Sequence, residues 1–222
     1  MKIQNHLIIA IGFCLSSCFA PSNLTFESAR TLDKGAIEIQ GNYSKYYFRE
    51  HEDSDYININ NNFGFKIGYG VSENYTIKLK YERMRLVHGY DNDVVFLGNL
   101  NNLNIIEVEN KFKFKHANIA AGLPVSYYFL DKAGGLRFGF IMFDPRIYFT
   151  LFSSTNIFEL NIIPKAHISI NSGFFFWPAF STGLGLSSNL KKWALRPEIG
   201  WDGYLSYGIA LNINLGRLFN KE

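Results

Sequence analysis

The stretch Phe63-Gly64-Phe65-Lys66-Ile67-Gly68-Tyr69-Gly70-Val71 puts a large apolar side chain at every odd position and glycine or lysine at every even one. Successive side chains of a β-strand point to opposite faces, so this stretch predicts a strand with one apolar face and one small or charged face. The following segment repeats the scheme, with Tyr75, Ile77, Leu79 and Tyr81 set against Thr76, Lys78, Lys80 and Glu82. The last segment does so again, Leu205, Tyr207, Ile209, Leu211, Ile213 and Leu215 opposing Ser206, Gly208, Ala210, Asn212 and Asn214. No window has a comparably clean helical period.

Turn clusters of Gly, Asn, Asp and Ser divide the chain into ten predicted strands: 36–49, 56–71, 74–86, 103–115, 118–129, 136–152, 157–170, 174–187, 191–201 and 204–217. That spacing leaves room for a tilted membrane-crossing strand of about 9–11 residues plus its connection. An even count brings both ends of the barrel to the same side. The connections Val71–Asn74, Lys115–Ala117, Ser153–Asn156 and Ser187–Leu190 are short and read as periplasmic turns, whereas 50–55 and 87–102 are longer, polar and read as outward loops. Pro124, Pro145, Pro164, Pro178 and Pro197 fall inside strands, where proline removes a ladder donor and marks a bulge or an end. The odd–even phase also slips between Phe138-Phe140-Met142 and Ile147-Phe149-Leu151. A bulge at Asp144-Pro145 explains the slip, as does a break giving twelve strands.

Alternation alone also fits a soluble sandwich or a lipocalin-like barrel. Two features favour an apolar face turned outward to lipid. So many Phe, Tyr, Ile and Leu side chains cannot all fit inside one small barrel, and the apolar face carries almost no mid-strand charge, where a cation costs about 2–4 kcal/mol. Lys45, Arg83 and Arg85, the exceptions, fall toward outer strand ends. Tyr43, Tyr47, Tyr69, Tyr75, Tyr81, Tyr127, Trp193, Trp201 and Tyr207 share the outward register, several near strand ends where interfacial rings belong. Beyond the leader no run of about twenty apolar residues exists to form a spanning helix. The expected fold is therefore all-β: a closed, antiparallel, up-and-down transmembrane barrel.

The first residues are a targeting segment. Met1-Lys2 is followed by the apolar run Leu7–Leu15, a length that suits a signal-peptide core. Leu15-Ser16-Ser17-Cys18 resembles the lipobox of bacterial lipoproteins, which implies cleavage before Cys18 and a diacylglyceryl group on its sulfur. The alternative, cleavage after Ala20, would leave Pro21 just past the scissile bond. The chain thus divides into a signal peptide over 1–17, an N-terminal periplasmic segment over 18–35 and a barrel over 36–219. Cys14 and Cys18 are the only cysteines, so the body can form neither a disulfide nor a cysteine metal site. Loss of Lys2 with the leader takes the formal charge from +3 to +2, which gives no argument for nucleic acid.

At the C-terminal strand Ser206-Tyr207-Gly208-Ile209-Ala210-Leu211-Asn212-Ile213 resembles the assembly signal of outer-membrane barrels, although Phe219 is followed by Asn220-Lys221-Glu222 instead of ending the chain. Ala29-Arg30-Thr31-Leu32-Asp33-Lys34-Gly35 and Trp193-Ala194-Leu195-Arg196-Pro197-Glu198-Ile199-Gly200 resemble uncharacterised barrels of Bacteroidota-type bacteria. These resemblances imply an outer-membrane location with both termini periplasmic, and outer-membrane lipid and the barrel-assembly machinery as partners. They imply no activity.

The inward register carries Glu38, Lys66, Lys78, Lys80, Glu82, Glu107, Glu109, Lys111, Lys113, Arg146, Glu159, Lys165, His167, Arg196 and Glu198. A ten-strand barrel is little wider than the eight-strand kind that side chains fill. Opposite charges there should pair across the lumen and occlude it, since buried charges require partners. The expected role is structural or interactive at the cell surface, with a narrow pore for small solutes as the alternative. A lipid-active enzyme is the weaker third reading: Lys165, His167, Ser169 and Glu159 share a face, but residues two apart on a strand do so automatically, and no G-x-S-x-G context supports a nucleophile. No cofactor or metal is expected.

Overall fold

The computed structural model describes residues 22–49, 55–87, 102–115, 118–130, 139–155, 157–169 and 175–217. The leader, Cys18 and most of both long connections lie outside them. Eleven strands follow one another: β1 (Ala36–Phe48), β2 (Ile57–Ser72), β3 (Tyr75–Leu86), β4 (Asn102–Lys113), β5 (Ile119–Leu130), β6 (Gly139–Phe143), β7 (Arg146–Thr155), β8 (Phe158–Ser169), β9 (Phe175–Leu186), β10 (Trp193–Trp201) and β11 (Leu205–Arg217). Successive strands pair antiparallel, except that β6 and β7 do not pair with each other, and β1 pairs with β11 through Ala36↔Arg217 to Tyr47↔Leu205, which closes the sheet. β6 and β7 both lie between β5 and β8, so eleven segments occupy ten positions around a closed barrel. Closure leaves no unpaired sheet edge for lipid to meet, the condition for crossing a bilayer with strands.

The expected bulge at Asp144-Pro145 is absent, and so is the twelve-strand alternative. Val125 pairs with Phe143 and Gly122 with Arg146, three residues on along both strands, so the register against β5 runs unchanged through the gap. The phase does not slip either. Met142, Asp144, Arg146, Tyr148 and Thr150 are all buried and inward, while Ile141, Ile147 and Leu151 are exposed. The apparent slip came from taking Phe140 and Met142 as lipid-facing. They belong instead to an interior apolar cluster with Met84, Leu103, Ile105 and Tyr128. Pro124, Pro164, Pro178 and Pro197 sit in uninterrupted registers and cost only a ladder donor each. The register shifts that do occur lie at Ile37/Glu38, Tyr46/Tyr47, Gly70/Ser72, Thr150/Phe152 and Phe152/Thr155.

The outer surface is apolar around the whole circumference. Phe65, Leu79, Val108, Tyr127, Ile147, Ile162, Phe180, Ile199 and Leu211 are exposed, one or more from nearly every position of the barrel. A soluble protein has no use for such a belt, which water would penalise at about 25 cal/mol per Å². Aromatic pairs sit toward both rims: Tyr75 stacks on Phe112 at 4.4 Å near the short turns, and Tyr47 stacks on Tyr207 at 5.3 Å near the long connections. Among the described residues no helix is long and apolar enough to cross a membrane.

The largest departure from expectation is the segment before β1. Residues 22–32 run through the barrel interior as an extended strap, and the exposed Asp33 and Lys34 turn the chain into β1. Asn23, Leu24, Thr25, Phe26, Glu27, Ser28 and Ala29 are each no more than 3% exposed. The barrel's own ends, Ala36 and Arg217, lie side by side as expected, but Ser22 lies near the opposite rim. Converting the outward residue Leu79 to lysine should cost roughly 2–4 kcal/mol in the bilayer. The check is the fraction of heat-modifiable, folded protein recovered on refolding into lipid vesicles, which should fall sharply; Lys34→Gln, at an exposed position just before β1, should leave it unchanged.

Candidate functional site

The strap and the lumen wall form one continuous polar site. Near the long-connection rim, the Ser22 amide donates to the Tyr128 hydroxyl at 3.2 Å and the Asn23 amide to the Tyr46 hydroxyl at 2.7 Å. Lys80 donates to Ser22 Oγ at 2.9 Å, Ser22 Oγ donates to Glu82 at 3.0 Å, and Lys165 donates to the Asn23 carbonyl. Lower down, Glu198 accepts from the Thr25 amide at 2.9 Å and from the Phe26 amide. Two consecutive amides converge on one carboxylate, and the residue that carries the second, Phe26, takes a left-handed φ of 56°. Such a backbone costs on the order of 1–3 kcal/mol in a residue other than glycine and persists only where its surroundings enforce it. At the short-turn rim the Ala29 amide donates to Thr150, the Leu32 amide to Thr76, and Thr31 Oγ1 to the Glu73 carbonyl.

Glu27 is the electrostatic centre. Its carboxylate lies 2.8 Å from Lys66 Nζ and 2.7 Å from both Lys78 Nζ and Lys111 Nζ, and every member is nearly inaccessible to solvent. Lys66 also donates to the Thr25 carbonyl at 3.0 Å and Lys111 to the Ser28 carbonyl at 2.5 Å, so the same ammonium groups hold the strap by charge and by backbone. Lys111 further stands 4.3 Å over the Tyr148 ring. Lys78 reaches Glu38 at 3.5 Å.

The remaining inward charges find partners nearby. Glu159 takes Arg30 of the strap at 2.8 Å and Arg196 at 2.5 Å; Arg146 meets Glu107 at 3.3 Å; Lys80 meets Glu82 at 2.6 Å; Glu109 accepts from Tyr148. Of the charged residues expected on the inward register, Glu38 and Lys113 are half-buried and the others are buried. Their expected pairing across an empty lumen is replaced by pairing through the strap and along neighbouring strands. The lumen glycines have the same explanation. A Cβ on Gly70 would stand 2.1 Å from the Asp33 carbonyl oxygen, and one on Gly208 would stand 2.8 Å from the Phe26 ring. The small face of the alternating strands is the track on which the strap lies.

The lipid-active set does not assemble. Lys165 is spent on the strap, Glu159 on two arginines, and His167 Nδ1 contacts Asp144 at 2.6 Å with Nε2 3.7 Å from Asp202 and without a hydrogen-bond partner. No serine hydroxyl reaches that ring among the described residues. Sequence reasoning missed Glu27, Tyr46, Tyr128, Asp144, Tyr148 and Asp202. The three tyrosines carried a usable signal, since each falls on the inward parity of its strand. Glu27, in a segment without periodicity, carried none. Toward the short turns the site opens into a cavity of about 180 Å³, lined among others by Arg30, Lys78, Lys111, Lys113, Lys192 and Arg196.

A closed antiparallel meander, an apolar outer belt with aromatic rims and a charged, filled interior define the class: a transmembrane β-barrel of the outer-membrane kind. No protein-family model matches the chain, and no curated protein matches it. Solved structures of similar architecture include an outer-membrane channel of Pseudomonas putida F1 (11% identity, 89% of this chain and 100% of that one, TM-score 0.46). The N-terminal β-barrel domain of Pseudomonas aeruginosa OprF is another (13%, 82% and 98%, 0.35), as is Ail, the attachment invasion locus protein of Yersinia pestis (9%, 82% and 97%, 0.31). These likenesses concern the fold alone.

Glu27→Ala leaves three buried ammonium groups without their shared carboxylate and should cost about 3–5 kcal/mol. Limited proteolysis should then cleave within 22–32 in folded barrels, where the unaltered protein resists, and Gly70→Val should do the same by displacing Leu32 and Asp33. A pH effect follows from the β10–β11 turn. Burial pushes the Asp202 carboxyl up to about 6, against the lowering influence of His167 and Lys165. A raised carboxyl favours the folded state at low pH, and that contribution is lost as pH rises from its unfolded value of 3.8 through 6. Asp202→Asn should therefore match the parent at pH 4 and exceed it above pH 6, by at most about 3 kcal/mol in urea unfolding.

Proposed function

We propose that the protein serves as a closed outer-membrane barrel whose role is structural or interactive at the cell surface, not conductive. The observation that carries this reading is the strap. Glu27 lies mid-lumen on three lysines, and the backbone on either side of it is tied to the wall by Tyr46, Glu198 and Thr150. Charge that is balanced and internally hydrogen-bonded leaves neither space nor a free field to attract a permeant ion. The long connections over 50–55 and 87–102 face outward in this reading, the short turns face the periplasm, and the loops supply the contact surface.

The lipobox-like Leu15-Ser16-Ser17-Cys18 supports acylation of Cys18, and the C-terminal strand supports delivery by the barrel-assembly machinery. Outer-membrane lipid surrounds the apolar belt. The interior chemistry supports no catalytic role, since its histidine and lysines hold structure.

The narrow-pore alternative keeps one specific support: the basic cavity below Glu27, which would join a lysine-lined conduit if the strap withdrew. In planar bilayers the intact protein should show no discrete conductance. Deleting residues 22–30 should open anion-preferring steps in barrels whose heat-modifiable mobility shows them folded. Regular steps from the intact chain would overturn the closed-barrel reading.

A further inference from the structure

The charge balance of the mid-lumen does not extend to the short-turn mouth. The cavity of about 180 Å³ there is bounded on its inner side by Glu27 and Ser28 of the strap, and seven cationic side chains line it against three carboxylates. The nearby carboxylates are already shared. Glu27 serves Lys66, Lys78 and Lys111 together, and Glu159 serves both Arg30 and Arg196. Lys113, Lys191 and Lys192, also on the cavity wall, have no carboxylate partner among the described residues. Lys191 and Lys192 are exposed at its rim, so the cavity is open to solutes from that side.

Two lining side chains are more than nine-tenths buried and carry an unpartnered polar atom: Arg196 on β10, through Nε, and Asn212 on β11, through Oδ1. Asn212 pairs with Ala194 and Ala210 with Arg196, so the two lie on adjacent strands, two positions apart on the same inner face. Buried donors and acceptors in folded proteins nearly always have partners, from the chain, from water or from a ligand. Water would satisfy both atoms here but would leave the excess of positive charge uncompensated. A sulfate or a carboxylate would compensate the charge but has no proton to donate to Asn212 Oδ1. Inorganic phosphate does both. Its ionised oxygens accept from Arg196 and the lysines, and near neutral pH it always retains a P–OH that donates to the amide oxygen.

We propose that the short-turn mouth is a binding site for hydrogen phosphate, held by Arg196, Lys113 and Lys192 and selected by Asn212. The cavity has room for several waters, and so for one ion of this size. The site takes one thing from the closed-barrel reading, the strap that forms its inner wall. Conductance tests that reading and ion binding tests this one, so either can fail alone.

Isothermal titration calorimetry of the folded barrel in an uncharged, phosphate-free detergent tests this, with inorganic phosphate and sulfate as the two probes. Physiological ionic strength screens diffuse attraction to the exposed lysines. Phosphate should bind saturably at one per barrel, and more tightly than sulfate by roughly tenfold or more, because a site built to accept a proton rejects the ion that lacks one. Asn212→Leu should abolish that preference. Lys113→Gln combined with Lys192→Gln should weaken both ions severalfold and keep the preference, since it removes charge and not the acceptor. Heat-modifiable mobility shows which variants fold. If Asn212→Leu does not, the phosphate-to-sulfate ratio of the parent and of the lysine variant decides. No saturable phosphate binding would overturn the proposal. So would sulfate bound as tightly as phosphate, or affinity for phosphate unchanged in the folded lysine variant.

Discussion

One carboxylate organises the interior. Glu27 sits within 2.8 Å of Lys66, Lys78 and Lys111 in a space that water scarcely reaches. Three ammonium groups from adjacent strands cannot remain charged together there without a shared counter-ion, because desolvation would cost several kcal/mol per ion. The barrel wall on its own is therefore electrostatically incomplete, and the segment before the first strand completes it. Other features of the interior follow. Glycines on the inward face of β2, β10 and β11 give the strap room, tyrosines on β1, β5 and β7 offer hydroxyls to it or to its neighbours, and Glu198 clamps its backbone where Phe26 adopts a left-handed conformation.

This arrangement reverses the usual economy of a small protein. The apolar side chains that would form a core face lipid, and the charged ones form the core. What holds the inside together is a network in which nearly every ion has a hydrogen-bonded partner, and such networks cost stability when one member is removed. The apolar material that does lie inside is confined to small clusters, of which those around Tyr128 and Tyr46 ring the long-connection mouth. Charge fills the middle of the lumen and apolar side chains line the long-connection rim, where the strap is held by hydrogen bonds to Tyr46, Tyr128 and Glu82.

Strands were legible because period two leaves a mark on every face. Phe63–Val71, Tyr75–Glu82 and Leu205–Leu215 fall in β2, β3 and β11 with the faces as read. The one parity error, at Phe140 and Met142, has a physical cause: an apolar side chain reads the same whether it meets lipid or an interior cluster. The lumen residues were recovered because parity assigns a charge to the inner face regardless of its partner. Their partners were not recoverable. Lys66, Lys78 and Lys111 lie on three strands, and no pattern along any of them announces that all three point at a residue outside the sheet.

The sequence by itself determined the antiparallel alternation, the closed meander, the apolar exterior and most of the inventory of buried charge, all of which follow from alternation and from the cost of charge in a bilayer. Only the tertiary structure decided what fills the lumen and which way the N-terminal segment runs. A strap of 22–32 has no repeat, no helix and no strand partner; its conformation is imposed residue by residue by the wall around it. A segment whose structure comes mainly from non-local contacts leaves little local signal to read.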